Sequence, residues 1–280
     1  MSVFDGLSKF GLNNITGSGL YETEKKETTV KKEEVKVEKE IKEEDFLFDK
    51  TYTCPICDEH FKVPTLRANR ARLVGQDMDL RPRYENIDPL KYDIVLCPKC
   101  GYAALPRFFD TITPPQKKLI KDNICKNFVP IASKSVYTYD DAFMRYQLAL
   151  GNAVVKKGKA GEKAYLCLKM AWLLRGKMEN LDPASADYDE QIASIKGDEK
   201  ELLSSALEGL VTARQTEMFP MCGMDEHTVD YIIAVTAIKF EEYELASRMI
   251  SSIIVSPSAN SRMKDRCRDL KEQLLELRKE

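Results

Sequence analysis

Two cysteine pairs with the same internal spacing constrain this chain more than any other feature: Cys54-Pro55-Ile56-Cys57 and Cys97-Pro98-Lys99-Cys100, the second continuing into Gly101 and Tyr102. In a turn of this kind the backbone bends tightly enough to aim two thiolates at one point. The N–H groups after the first cysteine can then bond the sulfurs, and a residue with positive φ is needed just past the second. Gly101 fills that place in the second turn, and Asp58 stands there in the first, a modest departure because Asp tolerates left-handed backbone better than most residues. The pattern predicts that Cys54, Cys57, Cys97 and Cys100 are the ligands of one tetrahedral sulfur-only site.

A four-cysteine set fills every position of a zinc ion and leaves none for water, so the expected cofactor is one structural zinc ion, not a catalytic one. The same donors accept iron, and a rubredoxin-like redox carrier or sensor is therefore the first alternative. Iron is disfavoured because Asp58 to Leu96 separates the pairs, whereas small iron carriers are compact stand-alone modules. His60 is the nearest substitute ligand and is expected at the surface. Lys62, Lys99 and Arg107 are expected to screen the negative charge of the centre.

Of the eight cysteines, the other four, Cys125, Cys167, Cys222 and Cys267, stand alone in helical stretches and read as buried inert thiols. No signal peptide or run of about 18 apolar residues occurs, so a cytoplasmic location is expected, where thiols stay reduced. A net charge of −2 gives no general attraction to nucleic acid or an anionic membrane.

The composition along the chain suggests four segments. Residues 1–18 hold Phe4, Leu7 and Phe10 at helical spacing and form a candidate docking segment, the plain alternative being that it folds back on its own domain or stays disordered. Residues 19–45 are a Glu/Lys-rich linker with too little apolar surface to order itself. Residues 46–112 carry the cysteine pairs, β-prone runs at Phe61–Leu66 and Tyr92–Leu96, and an irregular excursion from Arg67 to Leu90 with a short helix. Residues 113–280 are helical, with elements near Pro114–Asn127, Asp140–Lys157, Gly161–Lys177, Glu199–Phe219, Asp225–Phe240, Tyr243–Val255 and Ser258–Lys279.

The fold class that follows is α+β: a small zinc-ribbon-like β module, then an all-α domain. Ala206, Leu210 and Ala213, and again Tyr243, Ala246, Ile250 and Ile253, carry small and apolar residues at the spacing of tetratricopeptide-like helix pairs. Trp172, the only tryptophan, falls on a strongly apolar helix and is expected in its core. The Arg-rich excursion (Arg67, Arg70, Arg72, Arg81, Arg83) could face nucleic acid, the second alternative. Asp77 and Asp79 favour internal ion pairs instead. His227 has no catalytic neighbour in sequence, and no nucleotide-binding loop, metalloprotease helix or serine elbow is present.

These residues together resemble a bacterial family catalogued as domain of unknown function 2225. The likeness rests on CPIC at Cys54, RLVGQDMDLRPRY from Arg72, NIDPLKYDIVLCPKCGYAA from Asn86, KAYLCLKMAWLLRGK from Lys163 and GMDEHTVDYI from Gly223. The resemblance implies a zinc-ribbon-like front, a tetratricopeptide-like helical back and no established activity. A non-enzymatic scaffold or adaptor for protein partners is the functional expectation.

Overall fold

The computed structural model describes residues 42–278. The docking segment 1–18 and nearly all of the linker 19–45 lie outside the described residues. The linker's last residues do not: Glu43–Phe46 form a 3-10 turn, and the Glu43 carboxylate accepts from the Tyr92 hydroxyl at 2.8 Å and pairs with Lys91 at 2.6 Å. Phe46 and Leu47 are buried there with Ile87, Tyr92 and Tyr137.

Among the described residues, three separate two-stranded antiparallel sheets make up the β portion. Strands β1 (Leu47–Thr53) and β2 (His60–Leu66) pair in full register, and the first cysteine turn joins them. Strands β5 (Val95–Leu96) and β6 (Ala103–Ala104) flank the second cysteine turn in the same way. Phe61 and Val63 on β2 alternate inward with Val95 and Ala104 to form a small core, closed by Tyr102 and Phe109. Tyr102 packs on Phe109 with ring centres 5.0 Å apart and donates its hydroxyl to the Phe109 carbonyl at 2.9 Å.

The excursion between the cysteine turns is more ordered than its composition suggests. Strands β3 (Arg72–Gln76) and β4 (Pro82–Glu85) form a hairpin with a bulge between Leu73 and Gly75, and Pro89–Tyr92 is a 3-10 turn. Tyr92 therefore leaves the expected strand, which shrinks to Val95–Leu96, because the Asp88 side chain accepts from Leu90 N–H at 3.0 Å and caps a turn instead.

Eight helices follow among the described residues: α1 (Pro106–Phe109), α2 (Pro114–Ile120), α3 (Tyr139–Val155), α4 (Ala160–Glu179), α5 (Tyr188–Thr216), α6 (Glu226–Lys239), α7 (Tyr243–Val255) and α8 (Ser261–Leu277). A π-helical turn, Lys121–Cys125, extends α2. Thr138, Asp225 and Asn260 are N-caps whose side chains accept from the third residue on, which sets the starts of α3, α6 and α8. Helix α5 begins at Tyr188, well before the expected Glu199. Its first turns carry mainly Ile192 and Ile195 as apolar residues among charges, too sparse a stripe to read as periodic.

Successive helices pack on one another, and the small residues set how closely. A Cβ on Gly209 of α5 would stand 2.8 Å from the Ala164 Cβ of α4, so that crossing requires glycine. Ala206, Leu210 and Ala213 of α5 are fully buried, as are Ala246, Ile250 and Ile253 of α7. The main core includes residues of the β portion, Leu90, Ile94, Leu96, Ala103 and Leu105, together with helical residues such as Leu168 and Leu173. Apolar packing is thus continuous across residues 112 and 113.

Candidate metal centre

Both cysteine turns close on the same hydrogen bonds. Asp58 N–H donates to the Cys54 carbonyl at 3.0 Å and Gly101 N–H to the Cys97 carbonyl at 3.1 Å. Cys54 N–H donates to Glu59 O and Cys97 N–H to Tyr102 O, each at 2.9 Å. The residue past each pair has positive φ, 59° at Asp58 and 76° at Gly101. Asp58 therefore takes the glycine conformation in the first turn. At Gly101 no side chain would fit, since a Cβ would come within 2.5 Å of the Phe128 ring.

The two turns bring Cys54, Cys57, Cys97 and Cys100 together, with all four sulfurs within 4.8 Å of one another. Cys54 Sγ lies 3.6 Å from Cys100 Sγ and Cys57 Sγ lies 3.7 Å from Cys97 Sγ. Four sulfurs at about 2.3 Å from a central ion in a tetrahedron stand about 3.8 Å apart, so the donor set already has the dimensions of a metal site. Cys54, Cys97 and Cys100 are buried and Cys57 sits at the edge.

The backbone near the sulfurs favours their charged form, while the crowding of the sulfurs and their burial oppose it at Cys54 and Cys100. Backbone N–H groups of Ile56 and Cys57 favour the charged form of the Cys54 sulfur, those of Lys99 and Cys100 that of Cys97, and that of Tyr102 that of Cys100. Hydrogen bonds from Cys100 and Cys54 hold the Cys97 thiol far below its usual range, and contacts with Cys54 and Cys97, with burial, hold Cys100 far above it. Thiols this close cannot all ionise on their own. A divalent cation would remove that conflict, and the four donors fit one.

The other expected participants fall in different places. His60 is exposed, with Nδ1 3.0 Å from the Thr53 hydroxyl across the β1–β2 pair, and it stands apart from the four-sulfur cluster. Lys99 is near the centre and its charged form is favoured first by Glu59, paired at 2.7 Å, and further by the Cys57 and Cys97 sulfurs. Arg107 does not serve the centre as expected: its guanidinium lies against Gly223, where a Cβ would meet it at 2.4 Å. Lys62 faces a small recess shared with Arg145 and Ser133.

Of the four lone cysteines, Cys167 and Cys267 are buried, whereas Cys125 and Cys222 are partly exposed. Burial pushes the Cys167 and Cys267 thiols up to about 11 and Cys222 to about 12, which keeps them protonated and unreactive. Cys125, in the π-helical turn, packs against the ribbon core near Cys100, a proximity its isolated place in the sequence does not reveal. His227 Nε2 lies 2.9 Å from the Ser256 hydroxyl.

The basic excursion finds its acids within the fold. Arg81 pairs bidentately with Glu179 at 2.9 and 2.8 Å, and Arg83 bonds both Glu179 and Asp77. Arg175 of α4 reaches Asp77 at 2.9 Å, Asp79 at 2.8 Å and Glu199 at 2.9 Å, and Lys239 joins Glu199 at 3.0 Å. The Trp172 indole N–H donates to Asp79 at 3.0 Å. Asp77, Asp79, Arg81 and Arg83 of RLVGQDMDLRPRY and Trp172 and Arg175 of KAYLCLKMAWLLRGK, with Glu179, Glu199 and Lys239, thus form one polar network that clamps the β3–β4 tip onto α4. Arg67, by contrast, donates to the Leu47 carbonyl, and Arg72 makes a loose exposed pair with Glu85 at 3.6 Å.

Among the described residues no helix is long and apolar enough to cross a membrane. No solved structure is significantly similar to this chain. A curated relative, an uncharacterized protein of Borreliella burgdorferi, is 36% identical over 78 residues, which is 25% of this chain and 28% of the relative. The match thus spans little more than a quarter of that protein. A family model described as "Uncharacterized protein conserved in bacteria (DUF2225)" matches residues 47–274. That span takes in both cysteine turns, the ion network and the helices, and the chain belongs to this family.

Proposed function

We propose that the protein is a non-enzymatic scaffold or adaptor, in which one structural zinc ion held by Cys54, Cys57, Cys97 and Cys100 stiffens the β portion while the helical portion binds protein partners. The observation that carries the metal part is the spacing of the four sulfurs, 3.6 and 3.7 Å for the close pairs, near the edge of a zinc tetrathiolate. All four positions would be filled by protein, which leaves no place for water or substrate and argues for a structural role. Zinc is preferred to iron because the centre is embedded in a larger fold, whereas small iron carriers are compact stand-alone modules.

The adaptor part rests on the stacked helices, whose outer faces offer grooves for peptides, as paired-helix arrays do. The protein belongs, in this reading, to the cytosol. The Arg81 and Arg83 guanidinia are already paired with Glu179, which argues against a nucleic-acid face on the excursion. Affinity capture from the native bacterium with the tagged full chain, followed by mass spectrometry, tests the adaptor reading. Specific recovery of at least one protein, resistant to nuclease, is expected. Recovery of none, or only of nucleic acid, would contradict it.

A further inference from the structure

Helix α3 presents an apolar stripe that its neighbours cover only in part: Phe143 and Leu150 are half-buried against the main core and Val154 is exposed. Phe143, Leu150 and Val154 recur at helical spacing on one face, and Val154 is 57% exposed. Together with Met170 of α4 and Leu202 of α5 they line a groove of about 610 Å³. Gly151 lies in the middle of the stripe with nothing within 4 Å of a Cβ built on it, so the floor there is low and open. The stripe from Phe143 to Val154 is about 16 Å long at 1.5 Å per residue, roughly three helical turns.

The rim has one sign of charge. The charged residues lining the groove are Asp198 and Glu201, both exposed on α5, and neither makes an ion pair among the described residues. Glu199, one residue from Asp198 but turned away from the groove, is by contrast buried and held by Arg175 and Lys239. An apolar trough with an unpaired acidic edge is complementary to a helix with an apolar stripe and basic flanking residues, and not to an acidic or a wholly apolar one.

We propose that this groove between α3 and α5 binds a basic amphipathic helix of a partner protein, about three turns long, with anchors at i, i+4, i+7 and i+11. The inference rests on the adaptor reading and names the chemistry of its partner. Apolar anchors fill the space over Gly151, and Lys or Arg beside them meets Asp198 and Glu201.

The test uses the full chain and three synthetic helical peptides: one with leucine anchors and lysine flanks, the same with glutamate flanks, and a scrambled lysine peptide. Fluorescence polarisation should show the lysine peptide binding at least about ten-fold tighter than the other two. The Asp198→Lys, Glu201→Lys double variant should reverse the preference between lysine and glutamate flanks. Val154→Glu, at an exposed site that leaves the core intact, should remove binding. Equal affinity for the three peptides, no binding of the lysine peptide, or binding indifferent to Val154→Glu would overturn the proposal. A large gain in affinity for Phe4→Ser, Leu7→Ser, Phe10→Ser in the full chain would also overturn it, by identifying the chain's own segment as the occupant. Affinity capture separates the two levels: partners recovered equally by wild type and Val154→Glu sink the groove alone, whereas no recovery by wild type sinks the adaptor reading.

Discussion

Single residues hold the two halves of the site in place, and each has a distinct physical reason. Gly101 combines positive φ with a Cβ direction blocked by Phe128, so Gly101→Ala should destabilise by more than about 1 kcal/mol, read as a lower melting temperature. Trp172 is buried and its indole N–H satisfies Asp79; Trp172→Ala should cost about 3–5 kcal/mol in denaturant unfolding, and near-native stability would refute its core role. Glu179 has its carboxyl held below the ordinary range, chiefly by hydrogen bonding to Arg81 and further by the charges of Arg81 and Arg83. A depressed carboxyl stabilises fully above its unfolded value and loses that contribution as pH falls through its folded value. The difference in melting temperature between wild type and Glu179→Gln should therefore be steady from roughly pH 5 to 8 and shrink below about pH 4. A difference that grows on acidification would contradict the pairing.

Secondary elements were legible in the sequence where the signal was local. The cysteine turns announce themselves by CPxC spacing, and α7 runs from Tyr243 to Val255 as its period predicts, because apolar residues at helical spacing need no knowledge of distant partners. The β3–β4 hairpin was not legible. Its strands carry Arg, Pro and Gly, and its tip is held by Arg175 and Glu179, nearly a hundred residues further along the chain. The opening turns of α5, Tyr188 to Asp198, were hidden because Ile192 and Ile195 stand too sparsely among charges to show a helical period. Ion networks of this kind punish removal of one partner more than they reward the pair. Arg175→Met should accordingly cost about 3–5 kcal/mol, because Asp79 loses its cationic partner while Asp77 keeps Arg81 and Arg83 and Glu199 keeps Lys239. A loss near zero in thermal unfolding would show that the clamp is not what seats the hairpin.

At the scale of the whole molecule, the metal and the helices divide the work of stabilisation. Structural zinc contributes apparent binding energies of about 10–16 kcal/mol, and the ribbon core around Phe61, Tyr102 and Phe109 is small. The helical core is larger and contains none of the four cysteines, so helix content should survive metal loss in far-ultraviolet dichroism while β1, β2 and the cysteine turns open to protease. With metal bound, limited proteolysis should cut first in residues 21–41, whose sequence has little to bury, and leave a stable fragment starting near Lys42, whose next residue Glu43 is held by Tyr92 and Lys91. The central claim is one zinc ion on four thiolates. Elemental analysis of purified full chain and of Cys97→Ser answers it most directly: one equivalent of zinc per wild-type chain and none retained stoichiometrically by the variant is the expected result. Iron in protein from its native host, or a metal-free wild type with its ribbon still protected from protease, would contradict it.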